Sequence, residues 1–214
     1  MKLHSVDYKD WFINQKRIPD ADSEEYRSFF NYHKELCMNG CMMDGVYINP
    51  FLYWHLNVWH TEVDVIDEYG RINQKYANPL LRDNEWLVTN EIDRAHKEKK
   101  GLVILGIRRF AKSVIEASYI AQGATFDENS QNIIAGLNAP DIKLITDKID
   151  KGLNFLPKAW RWQRVEDNWK NQVTLGIKTR GGERVPFSQI LIRNLDEGNN
   201  EEAIAGTKPR RLII

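Results

Sequence analysis

The 214 residues carry 30 basic and 30 acidic side chains, and 42% of positions are hydrophobic. This is an ordinary globular composition, and a formal net charge of zero confines any nucleic-acid contact to a local patch. No apolar run approaches the ~20 residues that span a bilayer, Met1-Lys2-Leu3-His4 opens no signal peptide, and two cysteines, Cys37 and Cys41, argue against a disulfide scaffold and fit a reducing compartment.

Residues 1 to about 45 are polar with scattered aromatics. Asp22 or Ser23 is the expected N-cap of a helix over "DSEEYRSFFNYHKELCMNG", with Gly40 and Gly45 marking its end. His33, Cys37 and Cys41 are spaced to share one face of that helix. A structural zinc site wants four ligands, and no second Cys/His pair completes one, so the three read as small side chains in a helical core. Residues 46 to 78 are dense in Tyr, Trp and Phe. "VYI" and "TEVDVID" read as strands and "EYGR" as a turn. The aromatics read as packing, with a ligand platform as the alternative.

From Pro79 onward, strands and helices alternate. "LRDNEWLVTNEIDRAHKEKK" is an amphipathic helix ended by Gly101, "LVILG" an apolar strand and "KSVIEASYIAQGA" a helix. "QNIIAGL" is a strand, and "APDIKLITDKIDKGLNFL" a helix stopped by Pro157. "QVTLGIKT" and "SQILIRNL" are strands flanking the turn "RGGERVP", and "RRLII" is a last apolar strand. Strands apolar on both faces, alternating with helices, predict an α/β sheet, largely parallel, with helices covering it.

The stretch Gly101 to Ala117, "GLVILGIRRFAKSVIEA", has the layout of a phosphate-binding loop: strand, Gly106, a short loop, then Lys112 and Ser113 opening a helix. In the pattern G-x-x-x-x-G-K-[ST], backbone amides at the helix start wrap phosphates, the lysine reaches the β and γ phosphates, and the hydroxyl holds Mg²⁺. The second glycine is replaced by Ala111, which fits if that residue keeps φ negative. On that footing Ala111→Gly is expected to be neutral or slightly destabilising. Arg108 and Arg109 add bidentate donors for a polyphosphate. An ordinary strand-loop-helix connection with solvated basic residues is the alternative.

Arg108, Arg109, Phe110, Lys112 and Ser113 resemble the arginine-rich P-loop, R-R-x-G-K-[ST], of the large terminase subunit of tailed bacteriophages; Ala111 departs from it. Upstream, the aromatic segment followed by "NPLLRDNEW" is similar to the region before the ATPase core in a subset of terminases. Pro79, Arg82, Asp83, Glu85 and Trp86 stand where that family has residues near the adenine pocket. Trp86 is either an adenine-stacking ring or an anchor of its helix. Downstream, "EEAIAGTKPRRLII" looks like the approach to Walker B, and the Asp-Glu pair of that motif is expected after Ile214.

The resemblance, over about residues 46 to 214, implies an ASCE-type P-loop NTPase with a mostly parallel sheet flanked by helices and incomplete at its C-terminus. It implies an N-terminal helical and aromatic extension over 1–78 and an ATPase core over 79–214. It implies the ATP-binding part of a DNA-packaging motor that is not competent for turnover alone. Lys112, Arg108 and Arg109 would be catalytic. Nucleotide would be held by Gly106, Ile107, Arg108, Arg109, Phe110, Ala111, Lys112 and Ser113 with Arg82 and Trp86, and Mg²⁺ by Ser113. The implied partners are ATP, Mg²⁺, double-stranded DNA, the portal protein, the small terminase subunit and further copies in a ring, in the cytoplasm of an infected bacterium and without a membrane. Arg108 or Arg109 would serve as an arginine finger in cis. Arg180, Arg184 and Arg193 are unranked for a role in trans, with solvated surface arginines as the alternative. Asp196 and Glu197 could substitute for the missing acids only beside the loop. Two other readings stay open: a helicase-like P-loop DNA motor, and a non-catalytic nucleotide-binding or structural protein.

Overall fold

In the computed structural model, which describes residues 18–105, 111–195 and 209–214, the Ser23 hydroxyl accepts the Tyr26 amide at 3.1 Å and opens α1 (Glu24–Asn39). The chain divides into two compact units, Met1–Ile115 and Glu116–Ile214. In the first unit, α1 buries Phe30, His33 and Cys37. It stops at Gly40, whose φ of 73° is left-handed and whose Cβ, if present, would stand 2.5 Å from the Ile48 carbonyl oxygen. Cys41 therefore leaves the helix and starts β1 (Cys41–Met43), which pairs antiparallel with β2 (Val46–Ile48). The expected His-Cys-Cys helical face is thus reduced to His33 and Cys37, and His33 Nδ1 lies 2.6 Å from the Tyr53 hydroxyl.

The aromatic segment contains a helix the sequence did not announce, α2 (Pro50–Asn57). Asn49 caps it, its side-chain oxygen accepting the Leu52 amide at 2.8 Å, and Phe51 to Asn57 are all buried. A helix buried on every side has little periodicity to read, and its aromatics Phe51, Tyr53 and Trp54 pack, as expected. β3 (Thr61–Ile66) and β4 (Ile72–Ala77) form an antiparallel hairpin. Asp67 closes its turn, accepting from the amides of Tyr69 and Arg71, each at 2.9 Å. The expected amphipathic helix is α3 (Asp83–Glu98), ended by Lys99 in the left-handed region.

The second unit is built on α4 (Lys112–Phe126), which starts in the last residues of the first, then β5 (Ser130–Gly136), α5 (Ala139–Asn154), β6 (Gln163–Asn168), β7 (Gln172–Lys178), β8 (Arg184–Asn194) and β9 (Arg211–Ile213). The sheet order is β6-β7-β8-β5-β9. Its core is aliphatic: Ile120 from α4, Ile133 and Ile134 from β5, Ile149 from α5, Val173 from β7 and Ile190 from β8 are all fully buried. Among the described residues, no helix is long and apolar enough to cross a membrane.

The sheet corrects the expected mostly parallel P-loop NTPase core. β6–β7 and β7–β8 are antiparallel, and only β8–β5 and β5–β9 are parallel. The cause is connection length: short turns at 169–171 and 179–183 join consecutive strands, and parallel strands need crossovers of about a dozen residues or more. β6, "QRVEDN", was missed because only Val165 of the six is buried. "LVILG" is a second correction. Residues 101–105 form no strand, and Leu102, Val103 and Leu105 are 38%, 83% and 92% exposed. A short apolar run makes a strand only where a neighbour takes its backbone hydrogen bonds, and no described strand pairs with it.

Candidate nucleotide site

α4 opens where the motif requires a helix to open. The amides of Val114 and Ile115 donate to the Ala111 carbonyl at 3.0 and 3.1 Å, and Lys112 and Ser113 are the first two helical residues. Lys112 is exposed and Ser113 half-buried. The first turn holds no acidic side chain, and the N-terminal end of a helix favours negative charge. Gly106, Ile107, Arg108, Arg109 and Phe110 lie outside the described residues, as do Asp196 and Glu197.

Ala111 corrects one assumption. Its φ is +60°, not negative, so it occupies the left-handed conformation at the position where the motif has glycine. A Cβ there costs about 1–2 kcal/mol, more than the unfolded-state entropy that alanine saves. Ala111→Gly is therefore expected to raise stability by about 1 kcal/mol, readable as a higher urea midpoint at unchanged m-value. A loss of stability would show that Ala111 is not strained.

Arg82 and Trp86 lie at the start of α3, and the Trp86 amide donates to the Arg82 carbonyl at 3.0 Å. The Trp86 carbonyl accepts from Thr89 Oγ1 at 3.2 Å and Asn90 Nδ2 at 2.8 Å. Its indole is half-buried and Arg82 is exposed. Between them Glu85, only 3% exposed, accepts the Arg82 amide on Oε2 at 2.9 Å. Burial pushes its carboxyl up to about 7 from an ordinary 4.5, against the opposing pull of the Arg82 amide and guanidinium. A folded-state value above the unfolded one means stability is full below about 4.5 and falls as pH rises through about 7. Glu85→Gln keeps an acceptor for the Arg82 amide and removes the titration. The difference in melting temperature between Glu85→Gln and wild type is expected to grow in the variant's favour across that window. A difference that stays constant with pH would contradict the assignment.

The remaining predicted arginines fall in the second unit. Arg180 and Arg184 are exposed on the β7–β8 hairpin. Arg193 Nη1 donates to the carbonyls of Asn171 and Ile192 at 3.2 and 2.9 Å. Sequence reasoning overlooked Arg211, read only as part of an apolar strand. It is a buried guanidinium joining β9 to α4, and the available signal was an arginine heading a run of aliphatic residues. Comparison with protein-family profiles and with curated proteins finds no match for this chain.

Proposed function

We propose that the chain is the ATP-binding part of a large terminase subunit, the motor that drives double-stranded viral DNA into a prohead in the cytoplasm of an infected bacterium. The portal protein, the small terminase subunit and further copies in a ring would be its partners. The observation that carries the reading is the junction where α4 opens: its first two residues are Lys112 and Ser113, where the motif requires a helix start. The mixed sheet lends no support, so the proposal rests on this junction and on the sequence resemblance.

The donor set fits a polyphosphate. The Lys112 ammonium would meet phosphate oxygens, and the Ser113 hydroxyl would hold Mg²⁺. Arg108 and Arg109 would add charge from the loop, and Trp86 with Arg82 would receive the adenine end. Bound nucleotide and Mg²⁺ supply a transferable phosphoryl group with its charge partly neutralised. The protein's share is to position it and to supply carboxylates for the metal and the attacking water; the resemblance expects those carboxylates after β9.

Binding is therefore the property to measure. A fluorescent ATP analogue should bind saturably and be displaced by ATP better than by adenosine, since the contacts are to phosphate. Displacement by adenosine and ATP alike would reject a phosphate loop.

A further inference from the structure

Between residues 158 and 184 seven basic side chains face three acidic ones, Glu166, Asp167 and Glu183, in a chain that is neutral overall. The stretch "KAWRWQR" also interleaves bases with indoles. Glu166 is occupied within the sheet, accepting from Gln172 Nε2 and Thr174 Oγ1 at 2.8 and 3.1 Å. Asp167 lies 3.6 Å from Arg164. Lys158, Arg161, Lys178, Arg180 and Arg184 are exposed, and among the described residues none of them forms an ion pair.

Beside them is a cavity of about 280 Å³ lined by Trp160, Trp162, Arg161, Arg164, Thr125 and Leu153, among others. Its walls are fixed by the protein. The Trp162 indole stacks on Phe187 at 4.1 Å with 17° between the rings, and its Nε1 donates to the Thr125 carbonyl at 2.9 Å. Trp160 meets Phe126 edge-on at 5.4 Å. Arg164 is held by Asp150 Oδ1 at 2.5 Å and by Asn154 Oδ1 at 3.1 Å. Arg161 differs: Nε and Nη2 both donate to the Leu156 carbonyl, at 3.0 and 2.5 Å, which leaves the Nη1 donors for an anion. The cavity end of β6 is tied to the hairpin, since Gln163 Oε1 accepts the Lys178 amide at 3.1 Å. The hairpin is itself closed by Thr179, whose amide donates to Glu183 at 2.9 Å and whose hydroxyl accepts from Glu183 at 3.1 Å.

We propose that this face of the second unit binds single-stranded nucleic acid, with one base entering the cavity against Trp162, its phosphate on Arg161, and the following phosphates running along Lys178, Arg180 and Arg184. Preset indoles beside an unbalanced line of cations are the two parts such a site needs: bases stack, and the backbone follows the charge. A duplex would meet the cations but present no unpaired base to the cavity. The site is built from residues of the second unit alone and does not depend on the nucleotide reading.

The test is fluorescence anisotropy of a labelled oligothymidylate of roughly a dozen nucleotides on the full chain, against a duplex of equal length. Single strand should bind tighter than duplex. Four contacting cations predict a loss of roughly fiftyfold in affinity between about 50 and 200 mM salt. Trp162→Ala should weaken the single-strand complex about tenfold or more. Arg180→Gln with Arg184→Gln, both on the exposed hairpin, should weaken it and flatten the salt dependence while leaving the melting temperature unchanged. That double variant keeps the test decisive if Trp162→Ala fails to fold. Duplex bound as tightly as single strand, affinity indifferent to the hairpin charges, or no binding at low salt would each overturn the proposal.

Discussion

Arg211→Ala is expected to destabilise the second unit by about 3 kcal/mol, in the range seen when one partner of a buried charged pair is removed. The Arg211 side chain is only 9% exposed. Its Nη1 donates to the Tyr119 carbonyl and to Gln122 Oε1, the latter at 2.9 Å, and Nη2 lies 3.6 Å from Asp127 Oδ2. The guanidinium carbon sits 4.3 Å from the centre of the Tyr119 ring. One side chain thus ties two positions of α4, and Asp127 just past its end, to β9. The approach is close enough that a Cβ on Gly123 would stand 2.5 Å from both Arg211 Nε and Asn132 Oδ1. The neighbouring Arg210 is the control. It faces the same carboxylate at 3.7 Å but is 56% exposed, and Arg210→Ala should cost within about 0.5 kcal/mol. Urea midpoints decide between them. Equal losses would mean that the Asp127 pairing matters and the buried hydrogen bonds do not.

The second large effect concerns binding. Lys112→Ala is expected to lower affinity for an ATP analogue by roughly ten- to a hundredfold, the equivalent of about 1.5–3 kcal/mol for hydrogen bonds to a charged group. The melting temperature should be nearly unchanged, because Lys112 is an exposed residue at a helix start. Unchanged affinity in a folded variant would remove the loop from the site. A large drop in melting temperature together with affinity would instead point to a structural role for the lysine.

Local chemistry was legible where it is short-ranged. Ser23, Gly40 and the periodicity of α1 and α5 could be read from residue type alone, because capping and helical spacing act within one or two turns. Strand direction was not, although the information was present. Gly181 and Gly182 were read as a turn, and a turn that short compels β7 and β8 to run antiparallel. Alternation of strand and helix had suggested a parallel sheet, and connection length overrode it. α2 was hidden because a helix buried on all sides shows no stripe. "LVILG" was over-read because apolarity alone does not supply a pairing partner.

The candidate site divides in the same way. Lys112 and Ser113 stand at a helix start as their spacing indicated. The backbone of Ala111 could not be read from its side chain: alanine is rarely left-handed, and the expectation followed that preference. The conformation found is one that glycine adopts more readily than alanine, so the negative φ on which Ala111 would fit the motif is not met. Arg211 escaped because burial of a charge depends on partners distant in sequence, here Tyr119, Gln122 and Asp127.

The most direct test of the central claim is amide hydrogen exchange of the full chain with and without a non-hydrolysable ATP analogue and Mg²⁺. The account predicts slowed exchange concentrated in peptides covering residues 106–116, lost in Lys112→Ala. Slowed exchange confined to other segments, or none at saturating nucleotide, would contradict it.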